Sequence, residues 1–509
     1  MIRYTPQSQL TLEGFETPFS QHLDKNNRWV QLAQVVPWDK LADIYYRSMH
    51  SDKGAPSLSA RMVIGAVIIK HMLDIDDREV VEQIRENMYL QYFVGLSSFT
   101  TEAPFDASLM VSIRYRLGRE MMESFNQLVL QQAGIIPAPQ SDGPAAGEEQ
   151  SGKDDNDNAV SMGKEPDKTR HAESDSGVAN SGTLMMDATV AEQQIEYPTD
   201  LKLLNEGRMQ LERMIEQVCN QGGLRQPRMY KKIARKKYLT LAKKKRKTKR
   251  QIRRGLREQL QYVKRDLKYI DDLLTRHPQL RSAVEKRDWK LLQVIHEVYR
   301  QQQEMYTEDS HSTEHRIVSI YQPHVRPMPR GKDKAQTEFG SKQLVMLKDG
   351  YTHVHSINWD NFNEGLQLQS CVETYKKIYG CYPEKVSVDG IFGNKVNREY
   401  LKKKGIRLVG KQLGRPPKLD ARQKRILQKE MAQRNEIEGK FGQGKNAYGL
   451  QKIKARMKET SESWIMTIYF IMNLAKLSHR TFLRLINGIL QKIIDAVLSL
   501  KWHLKTQLN

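Results

Sequence analysis

Arg434-Asn435-Glu436-Ile437-Glu438-Gly439-Lys440-Phe441-Gly442-Gln443-Gly444-Lys445 has an unusual charge pattern for a helix. Arg434, Glu438 and Lys445 stand at positions i, i+4 and i+11, so on one helix they share a face. The simplest interpretation is an ordinary ion pair between Arg434 and Glu438, worth about 0.3 kcal/mol. A carboxylate between two cations favours a functional face instead, provided that other carboxylates lie near it.

Two aspartates far upstream supply such carboxylates. Asp187 closes the apolar run Leu184-Met185-Met186, and Asp389 closes Val386-Ser387-Val388, so each is predicted to end a strand. An aspartate at the end of an apolar run costs free energy unless it has a partner. Together with Glu438 they would give three carboxylates, the ligands that Mg²⁺ and Mn²⁺ prefer over His or Cys. The sequence therefore predicts one site for a divalent metal.

The identity of the third carboxylate stays open at this point. Glu436 lies two residues before Glu438 and competes with it as the third ligand. Three glycines, Gly439, Gly442 and Gly444, also weaken the helix on which Lys445 would share a face with Glu438.

These segments resemble a DDE transposase of bacterial insertion sequences, a family with an RNase H-like catalytic core. The family's glutamate helix carries Tyr, two residues, Arg, three residues, Glu, six residues and Lys. Arg434, Glu438 and Lys445 fit this spacing, whereas Met431 stands at the tyrosine position. The segments around the two aspartates and the helical pattern over residues 25–135 also resemble this family.

The resemblance implies a role for each matched residue. Asp187, Asp389 and Glu438 would be the catalytic residues and would hold two Mg²⁺ or Mn²⁺ ions per site. Asp187 would bridge both ions, and Arg434 and Lys445 would clamp phosphate beside them. In this chemistry water attacks at the element's end, and the freed 3′ hydroxyl then attacks target DNA at the same site.

Composition points to a polyanionic partner and to no membrane. The chain has 509 residues and a net charge of +22, which favours nucleic acid as the partner. The apolar stretch from Phe482 to Leu500 is interrupted by Arg484, Lys492 and Asp495, so it predicts an amphipathic packing helix. We expect a cytoplasmic, nucleoid-associated bacterial protein.

A block of basic residues lies between the first two aspartates. Seventeen Lys or Arg residues and no acid occur between Arg225 and Arg257. Such a block favours phosphate-backbone binding without base reading. The residues predicted to bind phosphate here are Arg235, Lys236, Lys243, Lys244, Lys245, Arg246, Lys247, Lys249, Arg250, Arg253 and Arg254.

The predicted fold class is α/β, an RNase H-like mixed sheet with helices. An all-α DNA-binding domain would span residues 1–135, with Arg114 and Arg116 projecting from its third helix, as in a helix-turn-helix reader or a plain basic bundle. Residues 136–180 are predicted to be an acidic, disordered linker. The catalytic core would span 181–480, interrupted by a basic helical insertion over 200–312, and a separate amphipathic helix would occupy 481–509.

The predicted function is a DNA transposase. It would bind the terminal repeats of its element in double-stranded DNA, cut there and transfer the 3′ ends into target DNA. Acting on two ends implies a homodimer or a larger assembly on DNA, by analogy with the family. The alternatives are a metal-dependent nuclease that does not join, and a non-catalytic DNA-binding descendant of a transposase.

Overall fold

The computed structural model describes residues 22–49, 57–137, 179–329, 337–410 and 420–507, with backbone alone from 483 onward. Most of the predicted linker and the first part of the predicted N-terminal domain therefore lie outside the described residues. Seven strands form one mixed sheet: β1 (Thr183–Gln193), β2 (Arg326–Met328), β3 (Glu338–Lys348), β4 (Tyr351–Asn358), β5 (Lys385–Ser387), β6 (Arg407–Val409) and β7 (Lys452–Ile453).

Helices precede, interrupt and follow these strands. Those before the sheet are α1 (Arg28–Val35), α2 (Trp38–Tyr46), α3 (Ala60–Leu73), α4 (Asp77–Glu86), α5 (Met88–Phe93), α6 (Leu109–Arg116) and α7 (Arg119–Gln132). Those between β1 and β2 are α8 (Asp200–Gln221), α9 (Lys231–Ala242), α10 (Lys249–Arg276) and α11 (Lys286–Thr307). The remaining ones are α12 (Leu368–Tyr379), α13 (Lys395–Lys403), α14 (Ala421–Gln433), α15 (Asn435–Ala447) and α16 (Lys458–Gln507).

The long strand β1 lies at the centre of the sheet. It pairs antiparallel with β3 from Met185 opposite Leu347 to Glu192 opposite Gly340. Its other edge pairs in parallel with β5, and β5 pairs in parallel with β6. Beyond β3, the antiparallel β4 follows. The consecutive apolar residues Leu184, Met185 and Met186 of β1 allow both faces of this strand to be covered, because neighbouring side chains point to opposite faces.

The prediction that Asp187 ends its strand is wrong. Asp187 is the fifth of eleven residues in β1, which continues to Gln193. The strand continues because β3 keeps pairing with it on one edge. On the other edge the pairing with β5 stops at Met185 opposite Ser387, so the sheet is open beside Asp187.

The N-terminal helices do not form a separate layer away from the core. Residues of α1–α7 share one hydrophobic cluster with α15, α16 and the face of the sheet that includes Met185 and Val345. Helix α3 is buried on nearly every face, so it cannot be a groove-reading helix, and α6 exposes Val111, Tyr115 and Arg116. Arg114 does not project outward: it forms two hydrogen bonds, of 2.7 and 2.8 Å, with Asp77.

The insertion is helical, as predicted, and has its own core. Apolar residues of α8, α10 and α11, among them Leu211, Val263 and Ile295, form a cluster distinct from that of the sheet. The long helix α10 begins with a capping box in which Thr248 accepts from the backbone of Gln251. The insertion is therefore a bundle that leaves the sheet after β1 and returns to it at β2.

The prediction of a separate C-terminal helix is wrong for the part that the structure describes, residues 481–507. Helix α16 runs without a break from Lys458 to Gln507, so residues 481–507 continue it. Residues 464–474 of this helix are all buried, because they lie between the sheet and the N-terminal helices, with Ile465, Ile468 and Leu474 fully covered. Among the residues that the structure describes, no helix is long and apolar enough to span a membrane.

Candidate active site

The register of the sheet brings the two aspartates together. Met185 of β1 lies opposite Ser387 of β5 in a parallel pair, and Asp187 and Asp389 each follow two residues later. Side chains two residues apart on a strand share a face, and neighbouring strands lie about 4.8 Å apart. Both carboxylates are therefore on the same face and at the same open edge, which is the juxtaposition that the sequence predicts.

Asp187 lies in an environment that disfavours its charge. Its side chain is only 20% exposed. Burial raises its pKa to about 6, the charges of Glu364 and Asp389 act in the same direction, and the Ala188 N–H and the Arg434 guanidinium oppose them. Asp187 Oδ1 accepts from the Ala188 N–H at 2.8 Å. A carboxylate with a raised pKa beside other carboxylates favours the binding of a cation.

Asp389 is held by its own backbone turn. It caps the short 3-10 turn Gly390–Phe392, and its Oδ1 accepts from the Gly390 N–H at 2.7 Å. The buried amide of Asn397 donates to Phe392 O at 2.9 Å and to Gly365 O at 2.6 Å. Asn397 therefore ties the loop of Asp389 to the loop that precedes α12.

Helix α15 brings its charged face to β1. Ile437 and Phe441 are buried in the cluster that contains Met185, so they fix the helix against the strand. Arg434 lies at the junction of α14 and α15, 3.1 Å from Glu438 and 4.0 Å from Asp187. The guanidinium thus joins the helical carboxylate to the strand carboxylate.

The two candidate glutamates point to different places. A Cβ on Gly350, in the β3–β4 turn, would lie 2.8 Å from Glu436 Oε1 and close to the Lys476 ammonium. The charge of Glu436 also raises the pKa of Lys476, opposing the lowering by burial. Glu436 therefore belongs to the turn of the hairpin, and the geometry favours Glu438 as the third carboxylate.

Lys445 has a different neighbour from the one expected. Its Nζ lies 3.9 Å from Glu338, the first residue of β3. Glu338 precedes Val345, the partner of Asp187, by seven residues, which is about 23 Å along a strand. Arg434 and Glu438 thus face Asp187, whereas Lys445 contacts the far end of β3.

One carboxylate near Asp187 was missed by the sequence interpretation. Glu364 begins the 3-10 turn Glu364–Leu366, which lies just before α12. Glu364 Oε1 lies 2.7 Å from Lys342 Nζ on β3. An acidic residue before a helix is too common to be singled out without the sheet that places it beside Asp187.

The residues of this edge fit a hard divalent cation in type but are not assembled as a ligand cage. Among the described residues, no group of three or more His, Cys, Asp or Glu side chains is close enough to hold a metal ion. Arg434 instead lies between Asp187 and Glu438. Two strand carboxylates, one of them with a raised pKa, and an exposed helical carboxylate are nevertheless the donors that Mg²⁺ takes.

The basic block lies on the surface of the insertion. Lys243–Lys247 connect α9 to α10, and residues 243–250 are all exposed. Arg253 lies 2.5 Å from Asp309, and Arg254 lies 3.4 Å from Glu258. A groove of about 390 Å³ between α9 and α10 is lined by Lys236, Lys237, Lys244 and Arg254 beside Glu258.

Two segments of the chain match models of known protein families. Residues 386–475 match the model of a transposase DDE domain, and residues 17–116 match that of a transposase domain called DUF772. The first match includes Asp389, Arg434, Glu438 and Lys445 but not Asp187.

A relative from Rhizobium meliloti, the uncharacterized protein ORF8 in the nfe locus, is 39% identical over 94 residues. The alignment covers 18% of this chain and 45% of the relative, so the chain spans less than half of that protein's length. No solved structure matches the chain. Two segments of the chain are therefore similar to transposase domains, and one of these is a transposase DDE domain.

Proposed function

We propose that this chain is a transposase that cuts DNA at the ends of its element and transfers the 3′ ends into target DNA. The observation that supports the proposal most is the register that sets Asp187 and Asp389 side by side, with Glu438 joined to Asp187 through Arg434. The path of three antiparallel strands (β4, β3, β1) followed by two parallel ones (β5, β6) supports an RNase H-like core.

Asp187, Asp389 and Glu438 would hold two Mg²⁺ or Mn²⁺ ions. When bound, such ions activate the attacking oxygen and stabilise the leaving oxygen of an in-line displacement. Because the pKa of Asp187 is near 6 in the protein alone, this carboxyl would be mostly ionised at pH 7, as a metal ligand must be. Arg434, which now lies between Asp187 and Glu438, would be placed to contact a phosphate beside the ions.

Two bond exchanges follow on the DNA. In the first, water forms a bond to the phosphorus at the element's end, the bond to the 3′ oxygen breaks, and that oxygen leaves as a 3′ hydroxyl. In the second, this hydroxyl attacks a phosphate of target DNA and displaces its 3′ oxygen. One site serves both exchanges because attacking and leaving oxygens occupy equivalent places.

The DNA would extend from the carboxylates to two further surfaces. The exposed cations Lys243–Arg250 would bind the phosphate backbone without reading sequence. The exposed face of α6, with Tyr115 and Arg116, is where the N-terminal helices offer a contact to the terminal repeat. Two ends held together would require at least two subunits.

The test is Mg²⁺-dependent cleavage and joining of DNA that carries the element's own ends. Asp187→Ala, Asp389→Ala and Glu438→Ala should each abolish both steps while end binding remains. A wild type that binds the ends and never cuts in Mg²⁺ or Mn²⁺ would make the chain a non-catalytic descendant. A wild type that cuts without joining would make it a nuclease.

A further inference from the structure

Helix α14 lies on the protein with almost no apolar support. None of its residues from Ala421 to Gln433 is buried. It is held at its start by a capping box, in which Asp420 Oδ1 accepts from the Gln423 N–H at 2.7 Å. A helix that buries no residue gains little from packing, even though it carries the exposed apolar residues Ile426 and Met431, so a bound partner would supply what packing does not.

The charges of α14 are separated onto different faces. Its single acid, Glu430, contacts Arg407 of β6 and lies 3.8 Å from Lys385 of β5. At about 100° per residue, Lys424, Arg425 and Lys429 each project at least about 100° away from Glu430. All three are exposed, and none forms an ion pair with any residue that the structure describes. The face turned away from the sheet is therefore purely cationic.

The helical segment that carries this face continues into the candidate active site. Arg434 follows α14 with right-handed helical backbone (φ −56°, ψ −30°) and begins α15, which carries Glu438. One turn separates Glu430 from Arg434, so the side of α14 that faces the sheet is also the side that faces Asp187. The cations lie on the outer side of the same helical segment.

We propose that the outer face of α14, formed by Lys424, Arg425 and Lys429, binds the phosphate backbone of the DNA duplex beside the scissile phosphate. The proposal rests on the proposed function, because it extends the DNA path from the same carboxylates. It makes α14 a second phosphate-binding surface, separate from the basic insertion. Thirteen residues separate Arg425 from Glu438, at most about 20 Å of helix, so the contacts reach up to about six base pairs from the cut.

Charge decides between DNA and a second copy of the chain as the occupant. Three unpaired cations without an intervening acid match a line of phosphates, each of which carries one negative charge. A second copy carries a net charge of +22 and would meet this face with repulsion on average.

The experiment measures duplex affinity against salt concentration for the full chain and for the variant Lys424→Gln/Arg425→Gln/Lys429→Gln. A matched control, Arg276→Gln/Lys286→Gln/Lys290→Gln, removes three exposed charges at the other end of α10 from the basic block. Losing three phosphate contacts should reduce the slope of log K against log salt by about 2.7. Between 50 and 200 mM salt the variant's affinity should then fall about 40-fold less than that of the wild type. The control should keep the wild-type slope.

The measured slope separates this inference from the proposed function. An unchanged slope in the α14 variant, with the wild type cleaving DNA normally, overturns the inference and leaves the proposed function intact. A change in subunit number without DNA, at an unchanged slope, would assign the face to a second copy instead. A wild type that binds but does not cut overturns the proposed function, and a reduced slope in the α14 variant would still support the inference. Circular dichroism should show both triple variants folded, because no buried residue is altered. The single variant Arg425→Glu provides a second test, and it should change the salt slope in the same direction as the triple variant.

Discussion

Replacing Asp187 by asparagine should stabilise the protein and abolish its response to magnesium. Burial raises the pKa of Asp187 to about 6 from an ordinary value of 3.8. The folded state thus holds this proton more tightly than the unfolded state, so the contribution of this group to wild-type stability is fully present below pH 4 and is lost as pH rises through about 6. Two pKa units correspond to about 3 kcal/mol, which Asp187→Asn should recover at pH 7.

The assay is thermal unfolding of both proteins between pH 4 and 8, with and without Mg²⁺. Without Mg²⁺ the variant should melt at a higher temperature above pH 6, and the difference should vanish near pH 4. Added Mg²⁺ should raise the melting temperature of the wild type alone, because the variant lacks the charged oxygen of Asp187 on which the proposed site depends.

Asp266→Asn is the matched control for this experiment. Burial also raises the pKa of Asp266 to about 6, but this residue lies in the core of the insertion beside Arg265. It should show a pH-dependent change without altering the response to Mg²⁺. An Asp187→Asn variant that is less stable than wild type at pH 7, or that still responds to Mg²⁺ as wild type does, would refute the reasoning.

Three further predictions test the surroundings of the site. Glu364→Gln should move the acid limb of the cleavage rate to lower pH, because the charge of Glu364 raises the pKa of Asp187; an unmoved limb would contradict this. Asn397→Ala should cost about 1–3 kcal/mol by leaving two buried carbonyls without their donor, and should raise the Mg²⁺ concentration needed for cleavage more than it weakens DNA binding. Changing all basic residues of Lys243–Arg250 to Gln should weaken binding to any duplex sequence equally, as measured by competition with unrelated DNA, and a loss confined to the element's ends would instead show base reading.

The sequence predicts that the two aspartates lie together because each follows a short apolar run at the same position in the alternation of side chains. Leu184 and Met186, like Val386 and Val388, point to one core, so Asp187 and Asp389 necessarily share the other face. The length of β1 could not be predicted, since it depends on how far β3 pairs with it.

The boundaries between the domains were harder to predict from the sequence. Helix α16 is mostly apolar over residues 464–474, a pattern that indicates burial but does not say against which helices. Only the structure shows that Trp464 contacts Lys70 and His71 of α3, which joins the N-terminal helices to the core. Likewise, the contact of Lys445 with Glu338 could not be predicted from the sequence, because it depends on where β3 begins.

The measurement that tests the central claim most directly is Mn²⁺ binding by the chain on its end DNA, comparing wild type with Glu438→Gln and Glu436→Gln. The account predicts that Glu438→Gln loses bound ions and cleavage together, whereas Glu436→Gln, which alters the hairpin turn, keeps both. Full ion binding and cleavage in Glu438→Gln would contradict it.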